Sequence, residues 1–166
     1  MDKVNIKDSR MYSHIVLYDM HTDYLVRALD GIPDSAAQNR LNTKANHIAW
    51  LTGSLVQERF ELAKTLGIER KQAAYDLFKD HKGIQDGVDY PSLESFKQDW
   101  ASITPLLRKA LEDLNEELLD SSFEMMPGES MTYFEFITFV MYREANCIGQ
   151  IALWRRLLGF AAMNYM

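Results

Sequence analysis

Cysteine occurs once in the 166 residues, at Cys147, so no internal disulfide can form and packing alone must hold the chain together. That usage fits a reducing compartment, and a cytoplasmic location is expected. Proline occurs four times and glycine eight times, which excludes a collagenous or linker-rich chain. Positive charge is in deficit. Lys and Arg number 18 against 24 Asp and Glu, for a net charge of −6. A broad nucleic-acid footprint needs a basic excess, so no nucleic-acid partner is expected. Apolar runs stay well short of the roughly 18 residues that span a bilayer, so no membrane partner is expected either. Met1 to Asp8 is polar and lacks the apolar run of a signal peptide. There is no glycine-rich phosphate loop, no Cys-x-x-Cys and no Gly-x-Ser-x-Gly elbow.

What is present is helical periodicity. Ile15, Leu17, Tyr18, Tyr24, Leu25 and Leu29 recur at helical spacing and predict a first helix from about Ser9 to Leu29, ended by Gly31 and Pro33. Ile48, Leu51, Leu55, Val56, Phe60 and Leu62 predict a second helix over about Thr43 to Leu66. Ser92 opens a third, which carries Phe96, Trp100, Ile103, Leu107, Leu111 and Leu114 inward to about Leu119 and has Pro105 inside it, where a kink near Ala101 is expected. Pro127-Gly128 marks a turn, and Thr132 with Glu135 has capping-box spacing for a fourth helix to about Leu158. No segment reads as a strand. The expectation is a single all-α domain over residues 1–166, a mostly antiparallel four-helix bundle with a long crossover between helices two and three.

Two helix faces carry polar groups. On the fourth helix Arg143, Cys147, Gln150 and Trp154 are spaced i, i+4, i+7 and i+11, continuing a stripe that begins with Phe136 and Val140. On the second, His47, Leu51, Ser54 and Glu58 share a face. Such a stripe either leaves the core, with Cys147 as a small hydrophobe and Arg143 reaching for the rim, or enters a polar pocket. Arg155-Arg156 reads as a helix-end surface pair, and Met125-Met126 as adaptable packing or a partner surface. The apolar tail Phe160 to Met166 has two options, its own helices or a second copy.

Asn46 to Leu55, with Asn46, Ile48, Trp50 and Gly53, and Glu144 to Gly159, with Gly149-Gln150 and Arg155-Arg156, resemble the second and last helices of the DinB-like metalloprotein family. The resemblance implies a bundle of the DinB/YfiT type, and Gly149 is expected at a close approach of helices. Members with a histidine triad are metal-dependent hydrolases or thiol transferases, and many pair as homodimers. The family label refers to DNA damage induction, yet the residues carry no DNA-handling motif.

By that match Ser54, Arg143 and Cys147 stand where the family has its three metal-binding histidines. His47 falls about 10 Å earlier along the second helix and does not replace Ser54. An arginine cannot coordinate a cation and carries its own charge, so no metal and no other cofactor is expected. Arg143 is expected to take the cation's space and anchor a small anionic ligand, with Ser54, Asn146 and Gln150 adding hydrogen bonds and His47 and Trp50 flanking the pocket. Beside Arg143, Cys147 would tend toward thiolate. The functional expectation is a metal-free binding or accessory role. The alternative is a hydrolase or thiol transferase working from a non-standard site.

Overall fold

A computed structural model describes residues 6–166; of the polar stretch Met1 to Asp8, the first five positions lie outside the described residues. Helix starts follow the caps that the sequence supplies. His47 accepts the Trp50 N–H through Nδ1 at 3.1 Å, so the second long helix begins at Ile48 and not near Thr43. Ser92 Oγ accepts the Ser95 N–H at 3.2 Å. Thr132 and Glu135 form the expected capping box, at 3.1 and 2.8 Å.

The elements are α1 (Met11–Leu29), α2 (Asp34–Ala37), α3 (Ile48–Thr65), α4 (Tyr75–Phe78) running into a 3-10 turn (Lys79–His81), α5 (Leu93–Glu112), α6 (Glu116–Asp120), β1 (Ser122–Met126), β2 (Glu129–Thr132) and α7 (Tyr133–Leu157). The protein is thus mostly helical. In the described residues α1 packs on α5 and α7, and α3 packs on the same two helices. Ile15 and Tyr18 of α1, Leu51 and Leu55 of α3, Trp100 and Ile103 of α5, and Val140 and Ile151 of α7 meet in one core. No helix of the described residues is long and apolar enough to cross a membrane.

Four features differ from the periodicity. The stretch around Pro127-Gly128 is a two-stranded antiparallel hairpin, where no strand was expected, pairing Ser122 with Thr132 and Met126 with Glu129. Gly128 has φ +83°, the value a type II turn requires after proline. The third helix stops at Glu112, because Asn115 Oδ1 accepts the Leu118 N–H at 3.0 Å and starts α6. Helix α5 runs continuously through Pro105; both Pro105 and Ala101, whose carbonyl loses its donor, are exposed, so water can serve that carbonyl. Arg155 is buried: its Nη1 donates to the carbonyls of Ala28 at 2.9 Å and Asp30 at 2.5 Å, and its Nε to Ala161 at 3.1 Å. It closes the C-terminal end of α1, where a surface charge pair was expected.

The close approach lies at Gly53, not at Gly149. A Cβ on Gly53 would come within 2.2 Å of Phe78 Cζ and 2.8 Å of Phe96 Cε1, whereas one on Gly149 would meet nothing within 4 Å among the described residues. The tail turns back on its own chain, with Met163 buried and the Tyr165 ring edge-on to Tyr24 at 5.4 Å.

Helix α3 is buried from Ile48 to Phe60 at every position except the half-buried Trp50. It carries Ser54, Gln57, Glu58 and Arg59 into that environment. Buried polar and charged groups are costly unless partnered, so their partners define what this helix does.

Candidate binding cavity

The α3–α7 interface holds two charged doublets of opposite order, Glu58-Arg59 on α3 and Arg143-Glu144 on α7. They pair crosswise. Arg59 and Glu144, both fully buried, meet at 2.6 Å (Nε to Oε1) and 3.0 Å (Nη2 to Oε2). Arg59 also donates to the hydroxyls of Thr22 at 3.0 Å and Thr104 at 2.8 Å and to the Tyr18 carbonyl at 3.4 Å. All five guanidinium N–H groups therefore have acceptors. The guanidinium carbon lies 3.4 Å from the Trp100 ring centroid and 3.9 Å from that of Tyr18. His21 Nδ1 adds a contact to Glu144 Oε2 at 3.1 Å. Burial alone would push the Glu144 carboxyl up, but the charge of Arg59 and the bonds from His21 and Arg59 hold it below its ordinary value.

The second pair is unfinished. Arg143 Nη1 donates to Glu58 Oε1 at 3.0 Å, and Nη2 donates to Ser54 Oγ at 2.7 Å. The Arg143 side chain is 31% exposed and that of Glu58 only 9%. Glu58 Oε2 is buried and has no hydrogen-bond partner among the described residues. Burial raises the Glu58 carboxyl to about 7, and Arg143 offsets only part of that rise.

Ser54, Glu58 and Arg143 belong to the wall of a cavity of about 350 Å³. Trp50 and Phe78, the hairpin's Met125 and Met126, and Phe136 and Phe139 of α7 make its apolar lining. Gln57, Glu61, His81 and Lys82 supply further polar wall. The indole N–H of Trp50 is also buried without an acceptor among the described residues. A mainly apolar recess with a few convergent polar groups is the usual form of a small-molecule site. Phe78 sits against it because Gly53 leaves room for the ring.

The residues singled out from the sequence are divided by this geometry. Ser54 and Arg143 are hydrogen-bonded and Trp50 lines the cavity. Cys147 belongs to the hydrophobic core. Burial pushes its thiol up to about 11 despite the opposing charge of Arg143, so the thiolate expected beside that arginine is not favoured. His47 is the α3 cap, with its ring edge-on to Tyr90 at 5.1 Å. Burial lowers its pKa. Asn146 and Gln150 are exposed and bond to each other at 2.7 Å. They face solvent and do not reach the cavity wall. Sequence reasoning missed Arg59, and it singled out Met125-Met126 without placing them at this cavity. The signal for Arg59 was the inverted order of the two doublets.

No protein-family model matches the chain, and no curated protein matches it. Among the described residues, no group of three or more His, Cys, Asp or Glu is arranged to hold a metal ion.

Proposed function

We propose that the protein is a four-helix bundle of the DinB-like kind that works without a metal, binding a small ligand in the cavity between α3, α7 and the hairpin. One observation carries the reading: the Arg143 guanidinium bridges Ser54 Oγ and Glu58 Oε1 at the polar side of that cavity. The three positions matched to metal ligands offer a hydroxyl, a guanidinium and a buried thiol. Such a set does not fit a divalent cation, because arginine has no lone pair to give and its charge repels the ion. Support for the family remains the two sequence segments on α3 and α7 and the long connection, residues 66–92, between α3 and α5.

The catalytic alternative, a hydrolase or thiol transferase, has less behind it. A thiol whose pKa is raised to about 11 is protonated at neutral pH and is a poor nucleophile or ligand. Metal analysis of the purified protein, together with thermal shift against small amphiphiles and anions, tests the reading. The expected result is no stoichiometric metal and a rise in Tm with a cavity ligand. A tightly held divalent ion whose removal unfolds the protein would overturn it.

The proposal includes a homodimer. Tyr12, Val16 and Met20 leave an exposed apolar row on α1, and Tyr142, Leu153 and Leu157 do so on α7. Light scattering on a size-exclusion peak should give twice the chain mass, and a clean monomer would remove this part of the proposal.

A further inference from the structure

The cavity is asymmetric. Six apolar side chains make its apolar lining, and Arg143, Ser54 and Glu58, bonded to one another, stand in its polar wall with Gln57, Glu61, His81 and Lys82. A ligand that uses both has a hydrocarbon body and one polar head. The head's chemistry follows from two atoms. Arg143 uses one N–H on Glu58 and one on Ser54, and of its five donors three remain. Glu58 Oε2 is a buried oxygen without a donor among the described residues, a costly state for a carboxylate. A proton on Oε2 relieves that cost and turns the oxygen into a donor, while Oε1 goes on accepting from Arg143. A neutral Glu58 then leaves the guanidinium without a counter-charge.

We infer that the ligand is an amphiphilic carboxylic acid, its carboxylate held by Arg143 and Ser54 and accepting a hydrogen bond from a protonated Glu58, its chain lying on the apolar lining. The inference rests on the reading of the cavity as a binding site. The ligand's charge replaces the one that Glu58 gives up, so the guanidinium keeps a single counter-ion. One proton is taken from solvent onto Glu58 Oε2, and no other bond is made or broken. An ammonium head would bring a second cation against Arg143, and inorganic phosphate would leave the aromatic and methionine lining uncovered.

Glu58, with its pKa at about 7, is close to half protonated at neutral pH. The charged and titratable groups around it are Arg143, Glu144 and Cys147 on α7, Glu61 on α3, and His81 and Lys82 from the turn after α4.

Calorimetric titration of the whole protein with octanoate, 1-octanol and octylamine at pH 6 and pH 8 tests the inference, with two buffers of different ionisation enthalpy at pH 8. Octanoate should bind at a single site, about tenfold more weakly at pH 8 than at pH 6, with close to one proton taken up at pH 8. Glu58→Gln should keep octanoate binding and lose its pH dependence. Arg143→Met should lose octanoate but keep 1-octanol. The pH comparison is read on the unaltered protein, so it stands even where a variant fails to fold. Octanoate affinity independent of pH, or 1-octanol or octylamine binding as tightly as octanoate, overturns the carboxylate and leaves the cavity reading standing. Binding of none of the three overturns both.

Discussion

Arg59–Glu144 and Glu58–Arg143 join the same two helices, one residue apart, with their charges exchanged. In the first pair every donor of the arginine is used and both carboxylate oxygens are partnered. In the second, one carboxylate oxygen has no partner among the described residues and the arginine stands at a cavity. The same residue types thus serve two ends. A sealed, saturated pair fixes the register of α3 against α7, and an unsaturated pair offers bonds to something else. Burial without completion, not charge as such, makes the second the candidate for binding.

The largest expected effect separates the pairs by stability. Glu144→Gln leaves the Arg59 charge buried without its counter-ion and should cost about 3–5 kcal/mol. Glu58→Gln should cost under about 1 kcal/mol near pH 5, where Glu58 is already neutral. Urea unfolding of both variants checks this, and equal losses would break the comparison.

Next comes pH dependence. The folded Glu58 carboxyl, at about 7 against an ordinary 4.5, binds its proton more tightly than in the unfolded chain. Stability should therefore fall by about 3 kcal/mol as pH rises from 4.5 to 7. Glu144 acts in the opposite sense. Its lowered value stabilises above the ordinary 4.5, and that contribution is lost as pH falls through it. Urea midpoints from pH 3 to 8 should peak near pH 5, and Glu58→Gln should flatten the neutral side alone.

The smallest effects concern two helix glycines, one of them behind the cavity's Phe78. Gly53→Ala drives a Cβ into Phe78 and should cost about 1–3 kcal/mol while weakening ligand binding. Gly149→Ala, on an exposed face with open space, should gain up to about 1 kcal/mol. Thermal melts of the two variants give the difference in sign.

The order of the long helices was legible because it rests on apolar spacing and caps, which are local. Ser92 and Thr132 mark their helix starts in the sequence as they do in the fold. The hairpin was not legible: Ser122 to Met126 and Glu129 to Thr132 are short, largely exposed and without alternation. Nor was the α5–α6 break, since Asn115 caps a helix inside an unbroken apolar period. At the site, Ser54 and Arg143 emerged from a match of segments, and the structure joins them. Asn146 and Gln150 did not follow, because Arg143 stands at the edge of the buried face of α7, with Cys147 on its core side and Asn146 and Gln150 on its solvent side. Arg59 escaped because its partners, Thr22, Thr104 and Glu144, come from three other helices, and the inverted order of the two doublets was the one trace of it in the sequence.

The central claim is that the cavity-facing pair is left incomplete while its neighbour is closed. The most direct measurement is a carbon-13 NMR titration of the glutamate side-chain carboxyls, with Glu58 assigned through Glu58→Gln. Glu58 should titrate with a midpoint near 7 in the ligand-free protein, and Glu144 with a midpoint below the ordinary value. A Glu58 midpoint at the ordinary 4.5 would contradict it.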